Sequence, residues 1–152
     1  MWSLAARDAG VEMSLRMDLT FDCARAVALA EFWKVALGYV DEPPPSPFRS
    51  REEWVASFGP PAEDEGGGAW LHDPEGVGPR LVFLEVPEPK VAKNRLHIDV
   101  RVGRQGTPEE VWARVEAKVA QLVGAGAEVL TVAGKHHVVL ADPEGNEFCV
   151  AG

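Results

Sequence analysis

The chain is poor in cysteine, in clustered positive charge and in long apolar runs, and each shortage removes a class of function. Its two cysteines, Cys23 and Cys149, lie far apart and follow no metal-finger spacing, so they read as two reduced thiols. Lysine and arginine total 15 against 24 aspartates and glutamates, a net charge of −9. Nucleic-acid binding needs basic side chains gathered on one face to displace counterions, and no such cluster is present. No apolar stretch approaches the ~20 residues that span a bilayer, so no membrane role is expected. Residues 1–12 carry one basic residue and no apolar h-region. They read as a short tail rather than a signal peptide, with a cytoplasmic location the expectation. A Gly-rich phosphate loop, a nucleophile elbow and a CxxC pair are also missing.

What is present is alternation. From Leu15 to Phe21, Leu15, Met17, Leu19 and Phe21 fall on one face and Arg16, Asp18 and Thr20 on the other, the period of a half-buried strand. Asp22 suits an N-cap for a helix over Ala24 to Leu37, whose stripe is Ala26, Leu29, Ala30, Trp33, Ala36 and Leu37, and Gly38 stops it. Residues 41–68 hold Pro43-Pro44-Pro45, Pro60-Pro61 and Gly66-Gly67-Gly68, which break regular structure. Ser50 and Glu53 nevertheless have capping-box spacing for a short helix around Trp54 and Phe58. This insertion is expected to be the most mobile internal segment and to border a ligand site, with Trp54 and Trp70 offering cover. Strands are expected over 69–72 and 80–86, and His72, just before a turn, reads as a surface residue.

The second half repeats the order. Leu96, Ile98, Val100 and Val102 alternate with Arg95, His97, Asp99 and Arg101, and Thr107-Pro108-Glu109-Glu110 opens a helix with N-cap, N1 proline and capping-box glutamate together. Its stripe is Val111, Val115, Val119, Leu122 and Val123, and three strands are expected near 127–132, 136–141 and 147–150. Asp73-Pro74-Glu75-Gly76 and Asp142-Pro143-Glu144-Gly145 occupy the same place in each half, before the last strand. Matching turns in a matching order of elements indicate a duplication. The fold class is therefore α+β, two βαβββ modules forming one curved, cup-shaped mixed sheet with helices outside. The single domain is expected over 13–152, with module one at 15–90 and module two at 94–150.

Asp22, Phe32-Trp33 and Leu37-Gly38 resemble the first strand and helix of the vicinal-oxygen-chelate superfamily of glyoxalases, bleomycin-resistance proteins and extradiol dioxygenases. Segments 86–90 and 93–100 (Lys93-Asn94-Arg95-Leu96-His97-Ile98-Asp99-Val100) and segment 142–150 (Asp142 to Val150) resemble its glyoxalase-like branch. The resemblance implies a half-open cup with the ligand held between the sheets. Arg16, Asp18 and Thr20 would then look toward Arg95, His97 and Asp99, with Phe83 and Glu147 also lining the cup.

Metal-dependent members of the superfamily place His, Gln or Glu ligands on the first and last strands of each module. By position the candidates are Asp18, Glu85, His97 and Cys149, and the ion would be Zn, Ni, Mn or Fe. Glu85 rests only on sharing a face with Leu81 and Phe83. The family's last-strand glutamate is replaced by Cys149, and Glu147 is displaced from that point by about 6–7 Å of strand, more than bonds of about 2 Å absorb. His97 would serve equally as a cup-lining histidine bonded to Asp99 or Asp18. The departure favours no cofactor, and no catalytic residue is assigned. The expected function is small-molecule binding in the cup, for sequestration or resistance. The alternative is a divalent-metal lyase, isomerase or epimerase of the glyoxalase type. Pairing of two chains as a homodimer stays open.

Overall fold

A computed structural model describes residues 15–59 and 66–152; the tail expected over 1–12 lies outside them. Module one runs β1 (Asp18–Cys23), α1 (Ala26–Leu37), β2 (Val40–Asp41), α2 (Arg51–Ala56), β3 (Gly68–His72) and β4 (Arg80–Glu85). Module two runs β5 (Ile98–Arg101), α3 (Pro108–Gly124), β6 (Glu128–Ala133), β7 (His137–Ala141) and β8 (Glu147–Ala151). Each module makes a four-stranded mixed sheet, ordered β1-β4-β3-β2 and β5-β8-β7-β6. In both, the first strand is parallel to the last. The identical order is what a duplication produces. The architecture is the two-module βαβββ fold with mixed sheets and peripheral helices.

The repeated turns are built alike. The Asp73 carboxylate accepts from the amides of Glu75, Val77 and Gly78, and that of Asp142 accepts from the amides of Glu144 and Asn146. Gly76 and Gly145 close the turns at φ 70° and 83°, a region in which a side chain would be strained.

Strand ends follow their partners. Leu15 and Met17, expected on the buried face, are exposed, and β1 starts only at Asp18, where β4 begins opposite it at Arg80. A strand without a neighbour to bond gains nothing from staying extended. For the same reason β5 begins at Ile98, opposite Phe148, and leaves Arg95, exposed Leu96 and His97 ahead of it. The two-residue β2, pairing Val40 and Asp41 with His72 and Leu71, escaped the sequence pattern because prolines follow it at once.

Leu19 and Phe21 face α1 together with Leu81 and Phe83, while Asp18, Thr20 and Asp22 alternate onto the other face. Trp33, 1% exposed, lies at the centre of the core. Its ring is 5.2 Å from Phe21 of its own module and 5.2 Å from Phe148 of the other, and its Nε1 donates to Asp142 at 3.2 Å. Phe32 meets Phe148 edge-on at 5.8 Å. The modules are thus joined through the apolar stripe of α1. In α3, Val115 and Leu122 are buried as the spacing requires, the capping box forms as read, and Val123 is exposed.

Asp22 is not the N-cap of α1. It lies within β1, the N-cap position is Arg25, and no side chain there makes the capping bond. The free amides at this helix start are taken from a distance. Glu144 accepts from Ala24 at 2.7 Å and Arg25 at 2.9 Å, and Glu85 accepts from Ala26 at 3.0 Å. Two carboxylates at a helix N-terminus also suit its partial positive charge. Replacing Glu144 by alanine is expected to lower the unfolding free energy by about 1 kcal/mol, the usual loss of a capping side chain. Urea denaturation measures it, and an unchanged midpoint would mean that water caps these amides as well.

Candidate ligand site at the seam between the modules

β1 and β5 are both edge strands, each bonded on one side only, so each leaves backbone polar groups free along its other side. Residues from both strands line a cavity of about 210 Å³ where the modules meet. Module one contributes Leu19, Thr20, Phe21, Asp22 and Trp33; module two contributes Asn94, Leu96, Ile98, Asn146, Glu147 and Phe148. Leu19, Phe21, Leu96 and Ile98 make its apolar wall, with Trp33 and Phe148, each 1% exposed, packed behind it. Thr20, Asp22, Asn94, Asn146 and Glu147 supply polar atoms around it.

The polar groups are unequally committed. Asn94 Oδ1 accepts from the Glu147 amide at 3.2 Å, and Asn146 Nδ2 donates to both oxygens of Asp142. The Glu147 carboxylate is paired with Lys93, and His97 Nε2 lies 3.5 Å away. The hydrogen bond from Lys93 holds the Glu147 carboxyl below its ordinary range. Asp22 has no hydrogen-bond or ion-pair partner among the described residues.

Of the side chains singled out from the sequence, Thr20 and Glu147 meet at this cavity, and His97 stands beside Glu147, with Nε2 also 3.4 Å from the Asn94 carbonyl. The others are elsewhere. Asp18 pairs with Arg80 at 3.2 Å, and Arg80 also donates to Glu42 at 2.7 Å. Arg16 lies with Asp18 around a separate hollow, and Arg95 is exposed ahead of β5. Asp99 pairs with Arg101 at 2.8 Å and stands opposite Cys149 in the ladder. Burial, then the charge of Asp99, pushes the Cys149 thiol up.

Phe83 is a core residue, not a cup-lining one. It is 0% exposed and stacks on Phe21 at 5.0 Å, because its face of β4 is the face covered by α1. Glu85 shares that face, and its carboxylate is spent on the amides of Ala26 and Gly67. His72 is half-buried on β3, not a surface residue, and its Nδ1 is buried without a partner among the described residues. Trp54 and Trp70 meet edge-on at 5.6 Å, with the Arg51 guanidinium 4.8 Å and 4.6 Å from their ring centres. Arg51 also donates to the carbonyls of Glu42 and Pro43. By parity Trp70 lies on the sheet face away from α1, so α2 rests on the open face of the first sheet, apart from the seam cavity.

Among the described residues, no three His, Cys, Asp or Glu side chains are grouped to hold a metal ion. Asp18 is in an ion pair, Glu85 caps a helix, His97 is beside Glu147, and Cys149 is beside Asp99. The donors named by position do not fit a metal held within one chain.

Asn94, Asn146, Asp22, Leu96, Ile98 and Phe148 were not recognised as site residues from sequence. The two asparagines do occur in the segments that carry the family resemblance. Asp22 was hidden by the capping role its position suggested.

These two modules, with a cavity at their seam, define a vicinal-oxygen-chelate architecture. A family profile described as a glyoxalase-like domain matches residues 18–151, and the chain belongs to that family. No functionally curated protein matches it. Among solved structures it is similar to the fosfomycin resistance protein FosX from Mesorhizobium loti, with TM-score 0.61 and 7% identity over 91% of each chain. A possible glyoxalase from Bacillus cereus gives TM-score 0.56 and 16% identity, covering 95% of this chain and 100% of that one. A glyoxalase/bleomycin resistance protein/dioxygenase family enzyme from Burkholderia phytofirmans gives 0.54 and 18%, covering 87% and 93%. At these identities the likeness is one of fold.

Proposed function

We propose that this protein binds a small molecule in the seam between its modules, and that it acts by sequestration. The observation that supports this reading is the cavity itself. It lies where two edge strands from different modules approach, it has an apolar wall, and polar residues stand around its rim. A concave apolar surface with a few converging polar groups is the usual form of a small-molecule site. An apolar cavity of about 150 Å³ takes up benzene, so about 210 Å³ admits one ring with a short substituent. A metal-dependent reaction would need a donor set that the side chains of the described residues do not assemble.

The test is a ligand-observed NMR screen of the full chain against a library of one-ring compounds. Compounds that bind are expected to lose at least about tenfold in affinity to Thr20→Trp, which fills the cavity from an exposed strand position. A tenfold loss corresponds to about 1.4 kcal/mol. Ligands that bind Thr20→Trp undiminished, or a screen without binders, would remove the seam from consideration.

A further inference from the structure

We infer that the ligand of the seam cavity carries a neutral carboxamide or lactam edge, its carbonyl accepting from Asn94 Nδ2 and its N–H donating to Asn146 Oδ1. This deepens the reading above and rests on the cavity being a ligand site.

The inference comes from how the side-chain amides of two asparagines in the cavity wall are oriented. Asn94 Oδ1 accepts the Glu147 backbone N–H at 3.2 Å, which leaves its Nδ2 over. Asn146 stands the other way round. The Asp142 carboxylate, met only by donors among the described residues, takes the Asn146 Nδ2 at 3.1 and 2.9 Å, and Oδ1 is left over. Asp142 is buried and does not line the cavity, so Nδ2 is the end of Asn146 turned away from it. Both asparagines are half-buried, yet neither leftover atom is sealed in. Among the described residues, His72 Nδ1 alone is a buried side-chain polar atom without a partner. The residue that bonds Asn94 directly follows Asn146, so the free donor and the free acceptor belong to one stretch of wall. Turning either amide over would set donor against donor or acceptor against acceptor, so both orientations are fixed. A fixed donor beside a fixed acceptor matches a group that offers an acceptor beside a donor, as a primary carboxamide or a lactam does. Leu19, Phe21, Leu96 and Ile98 line the same cavity and receive the apolar body. A ketone leaves Asn146 Oδ1 unanswered, and a carboxylate sets oxygen against it.

Benzamide, acetophenone and benzoate share one skeleton and differ only in the group beside the carbonyl. Isothermal titration calorimetry on the full chain is expected to show benzamide binding about tenfold more tightly than acetophenone, with benzoate the weakest. Asn94→Asp keeps an oxygen for the Glu147 amide and removes the donor, so benzamide and acetophenone should both weaken about tenfold. Asn146→Ala should bring benzamide down to the level of acetophenone and leave acetophenone unchanged. Asp142 loses a donor in that variant, so circular dichroism is used to establish that it folds, and if it does not, Asn94→Asp and the probe series decide. The inference is overturned if acetophenone or benzoate equals benzamide, or if Asn94→Asp leaves benzamide unchanged. It is equally overturned if folded Asn146→Ala weakens benzamide and acetophenone alike, or if no probe binds. The library screen with Thr20→Trp judges the cavity separately. Binders without a carbonyl beside an N–H that are lost in Thr20→Trp would keep the seam as the site and discard the amide edge.

Discussion

Replacing Trp33 by alanine is expected to lower the free energy of unfolding by about 3–5 kcal/mol, a large share of the stability of a domain this size. The ring touches aromatic residues of both modules, Phe21 on one side and Phe148 on the other. Truncation leaves a void at the seam that neither sheet can close, since each is held by its own ladder. It also strips a donor from Asp142. Guanidinium denaturation followed by circular dichroism gives the number. Trp33→Phe should fall in between, because it keeps one aromatic ring in the core and loses the remainder of the indole with its N–H. A loss below about 1 kcal/mol for the alanine variant would show that the modules do not depend on this contact.

The second large effect is a contrast between two copies of one turn. Asp142 is 4% exposed and accepts from Trp33 Nε1, from Asn146 Nδ2 and from the amides of Glu144 and Asn146. Asp142→Ala orphans those donors in a dry place, and a loss of about 3 kcal/mol is expected. Asp73 makes the corresponding turn bonds to Glu75, Val77 and Gly78, but water reaches them, so Asp73→Ala should lose far less. Equal losses would mean that the turn, not the link between modules, is what Asp142 supports. Burial pushes the Asp142 carboxyl above its ordinary range, against the opposing effect of its donors. A carboxyl raised on folding holds its proton more tightly in the native state. Its contribution is therefore present below the unfolded value of 3.8 and is lost as pH rises through the folded value. Carboxyl-carbon NMR titration should place its midpoint above that of an ordinary aspartate.

Local signals in the sequence were read correctly wherever the residues that decide the structure are neighbours. Thr107 with Glu110 started α3 where expected, Ser50 took the Glu53 amide at the start of α2, and Gly38 ended α1 in the left-handed region. The paired Asp-Pro-Glu-Gly turns disclosed the duplication and hence the fold. The site was less legible because its parts are set by distant partners. Nothing around Asp22 indicates that Glu144, from the other module, takes the amides it would have capped. The face of β4 was assigned wrongly for a related reason. Leu81, Phe83 and Glu85 alternate cleanly, but alternation does not say which face meets the helix. The length of β1 was overestimated since its apolar pattern begins three residues before β4 offers it a partner at Arg80.

The capping of α1 from the far module has a consequence for synthesis. Domains ordinarily take shape from the N-terminus as the chain emerges, yet here α1 depends on residues of module two, made more than 100 positions later. Ala24, Arg25 and the Trp33 indole find Glu144 and Asp142 only after the final turn leaves the ribosome, and Phe148 reaches the Trp33 ring later still. The first half of the chain is therefore the last to be completed, and a polypeptide stalled between the two modules would expose the stripe of α1 until its synthesis resumed.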